Sequence, residues 1–187
     1  MRRGFTLIEM LVVMALFMTL MLVVSDIFLS VSLVQRKTLA REQGAKEMQF
    51  VLEQLAQAIR LNKINYSHYK LPLTGQVEDL ALIDADQKET IYTLTSTGCA
   101  VSVTECIKKS VAGVEAIISP SNVNIEELKF SILPLVDPYA YNESAKKFTS
   151  DETPLVSIYL TAKDINANQD EREIVLQTTM TTRYYER

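Results

Sequence analysis

The chain has no tryptophan, a single histidine (His68), two cysteines (Cys99 and Cys106), five glycines and five prolines among 187 residues. One histidine cannot build a multi-histidine metal centre, and two cysteines supply neither a four-ligand structural zinc site nor a disulfide-dense scaffold. So few glycines and prolines exclude collagenous and low-complexity chains. With a formal net charge of −4 and a pI near 5.1, the chain lacks the basic footprint of a nucleic-acid binder, and no nucleic-acid contact is expected of it. What remains, 48% apolar and 22% charged, suffices for about one ordinary domain with an appendage.

The apolar excess is concentrated at the start. After Met1, Arg2, Arg3 and Gly4, residues 5–24 form twenty positions with one charge, Glu9. At about 1.5 Å per residue such a helix is about 30 Å long, the thickness of the hydrocarbon core. The two arginines in front should stay on the cytoplasmic side, placing the remainder across the membrane. A secretory signal would end in a small-residue cleavage site; here the apolar run passes through Ser25 and Asp26 into helix-compatible sequence. Glu9 is the anomaly, because a carboxylate at the centre of a bilayer costs on the order of 3 kcal/mol on insertion scales and needs a partner.

The segment Arg-Gly-Phe-Thr-Leu-Ile-Glu-Met-Leu-Val-Val resembles the class III signal sequence of type IV prepilins and type II secretion pseudopilins. The resemblance implies that a membrane-embedded prepilin peptidase cuts after Gly4 and methylates the new amine of Phe5. It also implies that Glu9, fifth in the mature chain, meets the terminal ammonium of a neighbouring subunit during fibre assembly. In a low-dielectric bundle each charge would relieve the other's desolvation. Residues 1–4 would then be a leader, 5–24 the transmembrane segment, 25–62 its amphipathic continuation and 63–187 an exported globular domain. Other pilin or pseudopilin subunits, the peptidase, an inner-membrane assembly platform and membrane lipid are the implied partners. The location implied is a single pass through the cytoplasmic membrane, followed by a pilus or pseudopilus. Many relatives carry a kinking proline about two dozen positions into the mature chain; it is absent here, where Asp26 stands, which points toward a minor subunit.

From Ser25 to Asn62 there is no proline, and Gly44 is the lone glycine. Met48, Leu52, Leu55 and Ile59 recur at helical spacing with Glu47, Glu53, Gln54 and Gln57 between them, which predicts a helical face packed on the domain. Past Asn62, the residues Asn65, Tyr66, His68, Tyr69 and Pro72 mark an irregular link. His68 reads as a loop or surface residue there, since no nucleophile–histidine–carboxylate arrangement is legible.

The remainder alternates with period two, predicting strands over residues 80–83, 91–95, around Val101 and Val103, and over 114–118, 128–132, 156–162 and 174–180. The fold class is therefore α+β: a long N-terminal helix on an antiparallel sheet, pilin-like in the light of the resemblance. The segments at Glu127, Pro154 and Val175 also look like the outer domains of J-type pseudopilins and similar minor pilins. Residues 63–187 carry twelve Lys/Arg against eighteen Asp/Glu, an acidic surface that aids solubility without naming a ligand. Residues 134–153, with Tyr139, Tyr141 and Phe148, form a long connection of the kind that serves as a contact surface or a mobile insertion.

Cys99 and Cys106 are expected to pair in an oxidising compartment, with two reduced thiols as the alternative. Asp164, Asn166, Asn168 and Asp170 recur every second residue like oxygen ligands of a calcium loop. Gln169 and Val175 stand where that loop needs Gly and Glu, so no metal site is assigned, and polar hairpin residues explain the pattern equally. No catalytic residue or cofactor is assigned either. The rival reading is a single-pass anchor carrying an extracytoplasmic binding or enzymatic domain, with Glu9 incidental.

Overall fold

The computed structural model describes residues 6–73, 75–144, 146–150, 152–165 and 173–183. By its contacts the chain divides into two compact units, Met1–Glu42 and Gln43–Arg187.

The first unit consists, in its described part, of helix α1 (Leu7–Leu61) up to residue 42. The stretch Leu7–Arg36 is long and apolar enough to cross a membrane, and every large apolar side chain in it is exposed. That exposed apolar surface continues past Val24 through Ile27, Phe28, Leu29, Val31, Leu33 and Val34. Three hydroxyls within α1 bond back to their own helix: Thr19 to the Leu16 carbonyl at 2.8 Å, Ser25 to Met21 at 2.8 Å and Thr38 to Val34 at 3.0 Å. Each is thus satisfied without water, as a hydrocarbon environment requires.

The second unit begins with the last turns of α1. Met48, Leu52, Leu55 and Ile59 are buried as their spacing predicted, joined by Val51 and Ala56. Gly44 opens this face: a Cβ there would stand 3.4 Å from Asp164 Oδ2, 3.8 Å from Ile174 Cδ1 and 3.9 Å from Val123 Cγ2. A methyl group there would be in ordinary contact, and a larger side chain would require these neighbours to shift. Asn62 closes the helix, its Nδ2 donating to the Ala58 carbonyl at 2.9 Å.

The strands are β1 (Lys63–Ile64), β2 (Gln76–Val77), β3 (Asp79–Ile83), β4 (Glu89–Thr95), β5 (Cys106–Val111), β6 (Val114–Ile117), β7 (Val123–Leu133), β8 (Tyr141–Asn142), β9 (Lys147–Phe148), β10 (Leu155–Asp164) and β11 (Ile174–Thr181). They form two larger antiparallel sheets rather than one, with orders β1-β3-β4-β5-β6 and β11-β10-β7-β2, and a β8-β9 hairpin. The α+β architecture is as expected, a long helix followed by antiparallel sheets. The core lies between the buried helix face and inward residues of both sheets, with Phe130, Ile132, Ile158 and Leu160 from one and Leu80, Leu82 and Ile107 from the other.

Three local features depart from the simple alternation. Val101 and Val103 sit in turns rather than a strand, with Val101 fully exposed and Val103 buried; the strand starts at Cys106. In β7 the register against β10 shifts between Thr161 and Ala162, leaving Glu126 as an extra residue, so that both Ile125 and Leu128 point inward. Such a bulge turns the strand and resets its faces. The long connection over residues 134–153 contains the β8-β9 hairpin, where the Tyr141 and Phe148 rings meet edge to face at 5.3 Å.

Candidate assembly site at the helix start

Glu9 lies in the first turn of α1, and its backbone N–H donates to Thr6 Oγ1 at 3.3 Å. Thr6 therefore caps the helix; its carbonyl accepts the next amide, from Met10, at 3.3 Å. Thr6-Leu-Ile-Glu9 has the Thr-x-x-Glu spacing of a capping box, a signal in the sequence that marks Thr6 at the edge of the apolar run. A carboxylate in the first turn also meets the positive pole of the helix macrodipole. The Glu9 side chain is exposed and, among the described residues, takes part in no side-chain hydrogen bond or ion pair. Its surroundings are Leu7, Ile8, Met10 and Val13, all exposed. An acid so placed can accept a cation brought to it from outside the chain. Gly4 and Phe5 lie outside the described residues.

The other singled-out residues lie in the second unit. Cys99 and Cys106 are joined by a disulfide, with Cα atoms 5.7 Å apart, bracketing the turns that precede β5. Of the proposed calcium ligands, Asp164 ends β10 while Asn166, Asn168 and Asp170 lie outside the described residues. Asp26 is exposed on α1, within the apolar stretch.

His68 belongs to a 3-10 turn, Tyr66–His68, and is tied into the fold more closely than a loop residue need be. Its Nε2 lies 2.5 Å from Asp79 Oδ2 and its Nδ1 3.5 Å from Glu89 Oε1, and Glu89 also accepts from Asn65 Nδ2 at 2.7 Å. The flanking tyrosines are structural. The Tyr66 hydroxyl donates to the Pro134 carbonyl at 3.1 Å, while Tyr69 donates to the Asp79 carbonyl and accepts from the Ala81 amide at 2.8 Å. Burial pushes both phenols well above their ordinary range, since a phenolate there would lose its hydration. Among the described residues the His68 side chain is paired with the carboxylates of Asp79 and Glu89, so this cluster fastens the link to β3 and β4.

Ion pairs ring the surface. Lys129 bonds to Glu127, and Lys163 to Glu126 at 2.6 Å and Glu173 at 3.2 Å; these hydrogen bonds raise both ammonium groups above their usual range. Both lysines are solvated, so the pairs organise the surface more than they stabilise the fold.

A family model described as the prokaryotic N-terminal methylation motif matches residues 1–25. It covers the two arginines, the expected cut, Thr6 and Glu9. That match, with an apolar helix near the N-terminus, supports a type IV pilin or pseudopilin-type precursor anchored by a single pass through the membrane. Proteins with this motif are generally structural rather than enzymatic. Comparison with curated proteins and with solved structures finds no match.

Proposed function

We propose that the chain is a minor structural subunit of a type IV pilus or type II secretion pseudopilus. It is cut by prepilin peptidase after Gly4, methylated at Phe5, and drawn into the fibre through its N-terminal helix. The observation that carries the reading is the methylation motif running into a helix whose first turn bears a carboxylate with no side-chain partner among the described residues. Cleavage creates an ammonium, Glu9 of a neighbouring subunit receives it, and the apolar flank exchanges lipid for other helices. The absence of proline around Asp26 favours a minor over a major subunit. The exported unit is held by packing and by the disulfide, Cys99 to Cys106, suited to an oxidising compartment.

The Thr6 cap favours one competing account, an anchor in which Glu9 serves only the start of its own helix. Glutamine separates the two, since it fills the last position of a capping box as glutamate does but carries no charge. The expected outcome is that the mature protein begins at N-methyl-Phe5 by mass spectrometry, and that Glu9→Gln enters fibres at least tenfold less efficiently while remaining in the membrane. An intact Met1, or wild-type incorporation of Glu9→Gln, would sink the proposal.

A further inference from the structure

An acidic unit should pair its cations, and among the described residues Lys108, Lys129 and Lys163 each have a carboxylate partner. Lys88 and Lys109 do not, and both line one groove of about 550 Å³ between the last turns of α1 and the strands β4 and β5. Lys109 is half-buried, with its Nζ 5.8 Å from the centre of the Tyr92 ring. Its ammonium thus faces an aromatic ring and, among the described residues, no carboxylate, a position at which an incoming anion would form a charge-assisted contact.

Against the two ammonium groups the lining sets one carboxylate, Asp84, whose Oδ1 accepts the amides of Asp86 at 2.9 Å and Lys88 at 2.8 Å, so the groove keeps an excess of positive charge. The helix C-terminus is capped by Asn62, which tempers its negative pole. Gln54 and Gln57 present carboxamides that both donate and accept, matching the dual character of hydroxyl groups. Val111 and Ile118 give an apolar wall, and the volume is that of a small-molecule site.

We infer that this groove binds a small polyhydroxylated carboxylate of the uronic-acid class, with the acid at Lys88 and Lys109 and the hydroxyls against Gln54 and Gln57. Carboxamides and an apolar wall favour such a body over a bare anion, which would need only the lysines. This site stands apart from the assembly reading and survives its failure.

The test titrates the full chain, in a sugar-free detergent, with glucuronate, glucose and inorganic phosphate by calorimetry. Glucuronate should bind saturably and at least tenfold more tightly than either control. Lys109→Gln and Lys88→Gln should each weaken it by about tenfold, and Lys109→Arg should retain binding, showing that the position tolerates substitution when the charge is kept. Equal binding of glucose would show that the acid is not recognised, and equal binding of phosphate that charge alone is; either result overturns the inference. So would unchanged affinity in both Gln variants or no saturable binding of glucuronate.

Discussion

Residues 7–36 and residues 43–61 belong to one helix, α1, obey the same backbone rules and treat their apolar side chains in opposite ways. In the first stretch Phe17 is 56% exposed and so are its neighbours to similar degrees; in the second, Leu55 and Ile59 are fully buried and the exposed face carries Glu53, Gln54 and Gln57, with Phe50 and Leu61 as its exposed apolar residues. The second stretch has already found its partner within the chain. The first has none among the described residues, and a surface with apolar side chains on every side is suited to lipid or to other apolar helices rather than to a sheet on one side.

The sharpest way to break this contrast is to delete the same side chain from both units. Phe130→Ala, in a fully buried site, should destabilise the second unit by about 3–5 kcal/mol. Phe17→Ala should leave the thermal unfolding of that unit unchanged. Equal losses in both would mean that the first stretch also contributes to the core. Next in size is the disulfide. Replacing Cys99 and Cys106 by serine should cost about 2 kcal/mol, appropriate to the short loop it closes, read as a lower denaturant midpoint with helical signal from the first unit retained.

A smaller and graded effect comes with alkali. All eight tyrosines lie beyond residue 62, and burial raises the phenols of Tyr66 and Tyr69. Their unfolded forms lose protons above about pH 10 while the folded forms keep them. The unfolded state then binds fewer protons, so stability falls as pH rises, by about 1.4 kcal/mol per pH unit for each tyrosine at most. Tyr66→Phe should flatten that slope in an alkaline denaturation series, and an unchanged slope would remove Tyr66 from the account.

Much of the fold was legible where periodicity carried it. Met48, Leu52, Leu55 and Ile59 announce one helix face, and β10 and β11 alternate along their lengths. Strand β5 was not legible, because Lys108 and Lys109 stand adjacent inside it and its inward residue Ile107 has only a disulfide cysteine beside it. The division into two sheets was hidden for another reason: the bulge at Glu126 and the short β1 and β2 are settled by pairing across the chain, which no local pattern encodes. At the helix start, Glu9 stood out by being charged among apolar neighbours, whereas Thr6 was concealed by its modest polarity despite the capping spacing. The carboxylates around His68 and the lysines of the groove come from segments far apart in sequence, so their meeting required the fold.

The back-bonded hydroxyls of Thr19, Ser25 and Thr38 have a bearing on transfer between phases. Because each donates inside its own helix, none of the three owes a bond to whichever medium surrounds it. At those positions the rod can leave one oily neighbourhood for another without stranding a donor on the way, so that Glu9, Asp26 and the polar residues between Ser30 and Arg36 are what tie it to a particular setting.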